Sequence, residues 1–157
     1  MKSDTPLHNL GNTAILKQHK VAFLCSRKCP AAVVLKSFDW AIEQREKGTC
    51  VISGFHSRIE KDVLHYLLKG TQPVILALAR GMMKKWPPEI KAALDTNRLL
   101  IITRYADSVT HASEETCYQR NRLMMELADE VVIGYALPGG GLERLCGESS
   151  GKKISFL

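Results

Sequence analysis

Val51-Ile52-Ser53-Gly54-Phe55-His56-Ser57-Arg58-Ile59-Glu60 brings an apolar strand, a small-residue turn and a helix start into one short stretch. Such a junction suits an anion. The small residues let a ligand approach the backbone, and the free N–H groups of the first helical turn carry partial positive charge toward it. Ser57-x-x-Glu60 has a second explanation as a capping box, in which each side chain satisfies a free backbone N–H at the helix start. His56 and Arg58 are not needed by a cap, and they tilt the junction toward a phosphate-bearing ligand.

The other strand-like segments also end in marked loops: Ser26-Arg27-Lys28, Arg80-Gly81, Arg104-Tyr105 and Pro138-Gly139-Gly140-Gly141. Each alone reads equally well as a turn or a solvated charge. Their recurrence at every strand end points to phosphate. The first loop lacks both the Gly-x-Gly-x-x-Gly of dinucleotide sites and the Gly-x-x-x-x-Gly-Lys-Ser/Thr of nucleotide triphosphatases, so neither class is supported. Cys25, Cys29, Cys50, Cys117 and Cys146 form no Cys-x-x-Cys pair, and free thiols are expected. The five histidines are scattered, and no Ser-His-Asp or metal-ligand set can be assembled. No catalytic residue, no metal and no cofactor is therefore assigned.

These loops must be held by the elements between them. Val21-Ala22-Phe23-Leu24 marks a buried strand over Lys20–Ser26, and Val34, Phe38, Ala41 and Ile42 recur at helical spacing over about 31–47, before Gly48. A strand over Thr49–Ser53 leads to a helix of about Arg58–Lys69, closed by Gly70. The pattern continues with strands over Pro73–Ala79, Arg98–Thr103 and Glu130–Tyr135, a short helix opened by Pro87-Pro88, and a helix capped by Ser113 and running to about Ala128. A short helix through Cys146 and an edge strand at Ile154-Ser155-Phe156 complete the chain. Continuously apolar strands alternating with amphipathic helices predict an α/β, Rossmann-like doubly wound fold. Its mostly parallel sheet has about 5–6 strands with helices on both faces, and ligands sit beyond the carboxyl ends of the strands.

With 157 residues, 45% of them apolar, residues 1–157 are expected to form one domain. No apolar run approaches the roughly 20 residues that cross a bilayer, and no secretory signal opens the chain, so a cytoplasmic protein with no membrane contact is expected. The net charge of +6 is uneven: residues 1–91 hold 15 Lys/Arg against 7 Asp/Glu, and residues 92–157 hold 7 against 9. A polyanionic partner and a solvated basic face explain that asymmetry equally well.

Gly11-Asn12, Val21-Ala22-Phe23-Leu24-Cys25-Ser26-Arg27, Ser53-Gly54 before a helix, and Arg120-Asn121-Arg122 ahead of Ala128-Asp129-Glu130 occur in an order that resembles the DNA-processing protein A (Smf) family over about residues 8–146. That resemblance implies a modified Rossmann fold, single-stranded DNA binding in DNA processing or recombination, and a homodimer. Within the wider superfamily stand lysine-decarboxylase-like nucleotide-binding proteins. Where the family has Gly-Ser-Arg this chain has Cys25-Ser26-Arg27, and the family's helix histidine is approximated by His65. The accessory domains of many members have no room in this length, so a stand-alone Smf-like binding domain is the expectation.

Helical geometry limits the Arg120-Asn121-Arg122 motif. At about 100° per residue the two arginines diverge by about 200°, so Asn121 can face the loop cluster while one arginine reaches phosphate and the other an acidic neighbour. Phe55, Trp86 and Tyr105 could stack one or two bases, and Met124 and Met125 read as core or a dimer face. A rival reading is a nucleoside 5′-monophosphate phosphoribohydrolase-like enzyme, since Pro138-Gly139-Gly140-Gly141-Leu142-Glu143 looks like a truncated form of that group's signature, with Glu60 or Glu143 as acid/base. A nucleotide sensor is the third. The reading adopted here is phosphate binding, of single-stranded DNA or a nucleotide, without turnover. Its residues are Ser26, Arg27, Lys28, Ser53, Gly54, Phe55, His56, Ser57, Arg58, Arg80, Gly81, Arg120, Asn121, Arg122, Pro138, Gly139, Gly140 and Gly141.

Overall fold

The strands of residues 20–24, 50–53, 74–77, 99–103 and 130–133 are apolar except at end positions such as Lys20, Ser53, Thr103 and Glu130, because both faces of the sheet they form are covered. The computed structural model describes residues 6–149 and 151–157. In chain order its strands are β1 (His8–Gly11), β2 (Lys20–Leu24), β3 (Cys50–Ser53), β4 (Val74–Ala77), β5 (Leu99–Thr103), β6 (Glu130–Ile133) and β7 (Lys153–Phe156). The helices are α1 (Ala31–Lys47), α2 (Arg58–Leu68), α3 (Pro88–Asp95), α4 (Glu114–Leu127) and α5 (Gly141–Glu148), with a 3₁₀ turn at Thr13–Lys17.

One seven-stranded sheet runs in the order β1-β5-β4-β3-β2-β6-β7, parallel except for β1, which pairs antiparallel with β5. The doubly wound α/β class is as predicted, and the strand number exceeds the expected 5–6. The extra strand is β1. Its His-Asn-Leu-Gly is exposed throughout and has no period-2 alternation, so only its pairing to β5 makes it a strand.

Gly11 ends β1 at φ 104°, and a Cβ there would stand 2.3 Å from the Leu99 carbonyl oxygen. Only glycine fits this approach. Asn12 then caps the 3₁₀ turn by accepting from the Ala14 N–H at 3.1 Å, while its amide donates to the Asn97 carbonyl at 2.9 Å. The Gly11-Asn12 pair is thereby explained as a turn onto the sheet edge.

Alternate strand residues feed two cores. Val21, Phe23, Val51 and Leu76 face α1, α2 and α3, where Phe23 stacks on Trp40 with ring centroids 5.0 Å apart. Ala22, Leu24, Ile52 and Ile75 face the 3₁₀ turn, α4 and α5, meeting Ile15, Met124, Met125 and Leu145. Met124 and Met125 are therefore core residues, at 0% and 3% exposure. After β5 the chain returns across the sheet through α4 to place β6 beside β2. The loops after β2 and β6 diverge there, which opens a crevice at the strands' carboxyl ends. Among the described residues no helix is long and apolar enough to cross a membrane.

Arg98 clamps the opposite end. Its Nε donates to the Gln72 carbonyl at 3.0 Å, Nη1 to that of Leu68 at 2.8 Å and Nη2 to that of Leu67 at 3.1 Å. The Leu67 and Leu68 carbonyls belong to the carboxyl end of α2, and Gln72 to the loop that follows it. Arg98→Ala is expected to cost about 2–3 kcal/mol, read as a lower urea midpoint at unchanged m-value. A loss within experimental scatter would show that water replaces the clamp.

Candidate nucleic-acid interface

A cleft of about 900 Å³ occupies the crevice between the loops after β2 and β6. Its cationic wall comes from the β2 loop, where Cys25, Ser26, Arg27 and Lys28 follow one another. Ser26 fixes this loop to its neighbour: its N–H donates to the Tyr135 carbonyl at 2.8 Å, and its hydroxyl accepts from the Leu137 N–H at 2.9 Å. Burial, reinforced by Cys29, pushes the Cys25 thiol up to about 12, so it stays protonated and is a poor nucleophile.

The β3–α2 junction supplies the second wall through His56, Ser57 and Glu60. The capping box is present, with the Ser57 hydroxyl accepting from the Glu60 N–H at 3.3 Å. Glu60 does more than close the cap. Its Oε1 accepts from the N–H groups of His56 at 3.0 Å and Ser57 at 3.1 Å, and its Oε2 accepts from the Cys25 N–H at 3.3 Å. The donors first expected to meet a ligand here are thus partly occupied by the protein's own carboxylate.

Phe55 takes φ 45°, a region bulky residues avoid, and the sharp turn sends its ring into the core while His56 lines the cleft. Ser53 is fully buried, donating its hydroxyl to the Phe23 carbonyl at 2.8 Å and accepting from the Phe55 N–H at 3.3 Å. Ser53 and Phe55 are scaffold.

Arg120 forms the floor. It is only 5% exposed, its Nε donates to Asn121 Oδ1 at 2.8 Å and its Nη1 donates to the Ala77 carbonyl at the end of β4 at 3.3 Å. Gly54 lies directly beneath the guanidinium: a Cβ there would stand 2.3 Å from Nη1. Among the described residues neither Arg120 nor Arg27 nor Lys28 is in salt-bridge contact with a carboxylate. A buried cation without a counter-ion carries an unrepaid desolvation cost, which an incoming anion relieves. Of the expected split of the motif, the acidic half is present: Arg122 turns away to Glu148, at 3.1 Å.

Gly140 and Gly141 line the cleft at the start of α5, whose N-cap Gly140 offers no side-chain cap. Pro138 and Gly139 lie outside the lining, in the turn before it, where the Gly139 N–H donates to Glu143 Oε1 at 3.1 Å. Both carboxylates considered for acid/base chemistry, Glu60 and Glu143, are therefore bound to backbone N–H groups. Arg58 points elsewhere and pairs with Asp62 at 3.5 Å. Arg80 and Gly81 pack against the β5 loop, where the Gly81 N–H donates to the Val109 carbonyl at 2.8 Å. Neither they nor Arg104, Trp86 or Tyr105 line the cleft.

Several lining residues were not among those expected from the sequence. Tyr118 is the cleft's aromatic side chain, and Arg144 lies over its ring at 4.4 Å while its hydroxyl donates to Glu148 Oε2 at 2.6 Å. Glu114 and Glu115 line the wall at the start of α4. The available signal was helical spacing, since Tyr118 stands three residues before Asn121 on one face. Among the described residues no group of His, Cys, Asp and Glu is arranged to hold a metal ion.

Burial lowers the His56 pKa from its ordinary 6.5, and the Arg120 and Arg27 charges lower it further. The imidazole is thus neutral at pH 7, and between its folded value and 6.5 the unfolded chain binds more protons, so the fold loses stability as pH falls through that window. Followed by NMR, His56 should titrate below 6.5 in the native protein and move upward in Arg27→Gln. A midpoint at the ordinary value that ignores Arg27→Gln would show that the cations do not face it.

A search of curated proteins finds no significant match. Among solved structures, DNA processing protein A of Streptococcus pneumoniae superposes with a TM-score of 0.77 at 23% identity, covering 96% of this chain and 54% of that one. DNA processing protein A of Helicobacter pylori, described for its single-stranded DNA binding mode, gives 0.75 at 21% identity, covering 96% of this chain and 70% of that one. The chain thus spans about half the length of the pneumococcal protein. At such identities these likenesses establish the fold. The sequence profile of the family described as DNA recombination-mediator protein A matches residues 2–143, and the chain belongs to that family.

Proposed function

We propose that this chain binds single-stranded DNA through its backbone phosphates, in the cleft between the β2 and β6 loops. The observation that carries this reading is the Arg120 guanidinium, 5% exposed, without a salt-bridged carboxylate among the described residues, and flanked in the cleft by Arg27 and Lys28. Phosphate oxygens would supply the missing charge, with the open start of α5 at Gly140-Gly141 adding backbone donors. Neutral His56 and the Asn121 amide add polar contacts without opposing an anion. Family membership, and the single-stranded DNA bound by the Helicobacter pylori relative, support the same choice of polyanion.

A mononucleotide is the competing ligand, because a cleft of about 900 Å³ holds one comfortably. The discriminating experiment is fluorescence anisotropy of labelled 30-mer oligo-dT at two salt concentrations, with duplex DNA, AMP and GMP as competitors. Salt-sensitive binding that duplex displaces poorly is expected. Arg27→Ala should lower the log–log salt slope by about 0.7, the share of one phosphate on a single strand. Gly54→Ala should weaken binding while leaving stability within about 1 kcal/mol, because its methyl displaces the end of a flexible side chain from its seat. Displacement by one mononucleotide at low concentration, with no effect of strand length, would transfer the cleft to nucleotide sensing.

A further inference from the structure

The cleft is not uniformly cationic. Arg27, Lys28 and Arg120 have no carboxylate partner among the described residues. The first turn of α4 lines the same cleft with Glu114 and Glu115. Neither of these is in a salt bridge among the described residues, and Glu115 accepts only from the Gln119 amide at 2.9 Å. Along α4 the carboxylates stand five and six residues before Arg120, about 8–9 Å at the helical rise. The cleft therefore changes sign over the span of roughly one nucleotide.

We propose that this cleft seats the phosphorylated end of a strand, a terminal phosphomonoester, in preference to an internal phosphodiester; the proposal rests on the single-stranded DNA reading above. Three unpaired cations around one buried floor match a dianion better than a monoanion. A terminal phosphate carries about −1.5 to −2 charge and three acceptor oxygens, whereas a diester carries one charge and two free oxygens. Arg120 is 95% buried, so the group that meets it must reach the floor. A strand continuing past that point would bring its next phosphate against Glu114 and Glu115, where like charges repel. A strand that ends there meets no such opposition, and its first base lies along the wall formed by Tyr118 and Arg144.

The test uses unlabelled 12-mer oligo-dT competitors against a labelled 30-mer: hydroxyl at both ends, 5′-phosphate only, 3′-phosphate only, and a circular form with no end. A phosphorylated end should compete about tenfold better than the hydroxyl-ended or circular strands, as one added charge-assisted contact implies. The arm that gains names the end, 5′ or 3′. The advantage should shrink as pH falls below about 6, where the phosphomonoester loses its second charge. Glu114→Gln with Glu115→Gln, both on the helix surface, should strengthen circular and hydroxyl-ended binding and narrow the preference. Equal, salt-sensitive competition by all four strands would overturn the strand-end proposal and leave single-strand binding standing. Failure of every strand to bind would remove both.

Discussion

The geometry of the cleft depends on one buried carboxylate. Glu60 is 6% exposed, and its two oxygens accept from backbone N–H groups on two different loops, Cys25 after β2 and His56-Ser57 after β3. Burying that charge is costly, and three backbone donors, two of them at the helix start, offset the cost. The Ser26 hydroxyl extends the linkage to Leu137 after β6. Three strand-end loops are thereby tied together by side-chain-to-backbone bonds, and Arg27 and Lys28 project from that base. A capping box normally serves one helix; this one also sets the distance between two strand ends.

Arg120 is the counterpart of Glu60, a buried charge whose hydrogen bonding is left incomplete. Neutral acceptors, the Ala77 carbonyl and the Asn121 amide, hold its plane without cancelling its charge. Gly54 supplies the space, because any side chain there would occupy the guanidinium's position. On the proposed reading, a phosphate would supply the counter-charge that no carboxylate among the described residues provides within salt-bridge distance. Family motifs that look separate in the sequence, Ser53-Gly54 and Arg120-Asn121-Arg122, are one contact in space.

Much of the fold was legible because its signals are local. Helix α1 lies at Ala31–Lys47, where periodicity and Gly48 put it, with Gly48 at φ 74° as a left-handed cap. The apolar strands declared themselves, and their observed limits differ from the predicted ones mainly by trimming at the ends. β1 was not legible, since nothing in His-Asn-Leu-Gly distinguishes an edge strand from a loop before β5 is in place. The site was legible in part. The loops after β2, β3 and β6 do meet in one cleft, whereas Arg80 and Arg104 follow β4 and β5, on the side of the sheet away from the β2–β6 divergence, and Arg104 turns to Glu126 at 3.9 Å. Tyr118, Glu114 and Glu115 were missed because their place in the cleft depends on how the α4 crossover lands, which no local pattern encodes.

The two ends of the sheet handle charge in opposite ways. At the amino ends of β2 and β6, His19 meets Glu130 at 2.8 Å, Lys153 meets the same carboxylate at 2.9 Å, and Lys20 lies 3.9 Å from Asp129. Charges there are matched within a few ångströms, so their fields cancel a short way into solvent. At the carboxyl ends Arg27 and Lys28 are not matched, and their field persists to about a Debye length, some 8 Å at physiological salt. On the proposed reading, a single strand would approach the end of the sheet where Arg27 and Lys28 are unmatched. Orientation would then be selected before contact, and the association rate, more than the dissociation rate, is the quantity that added salt should suppress.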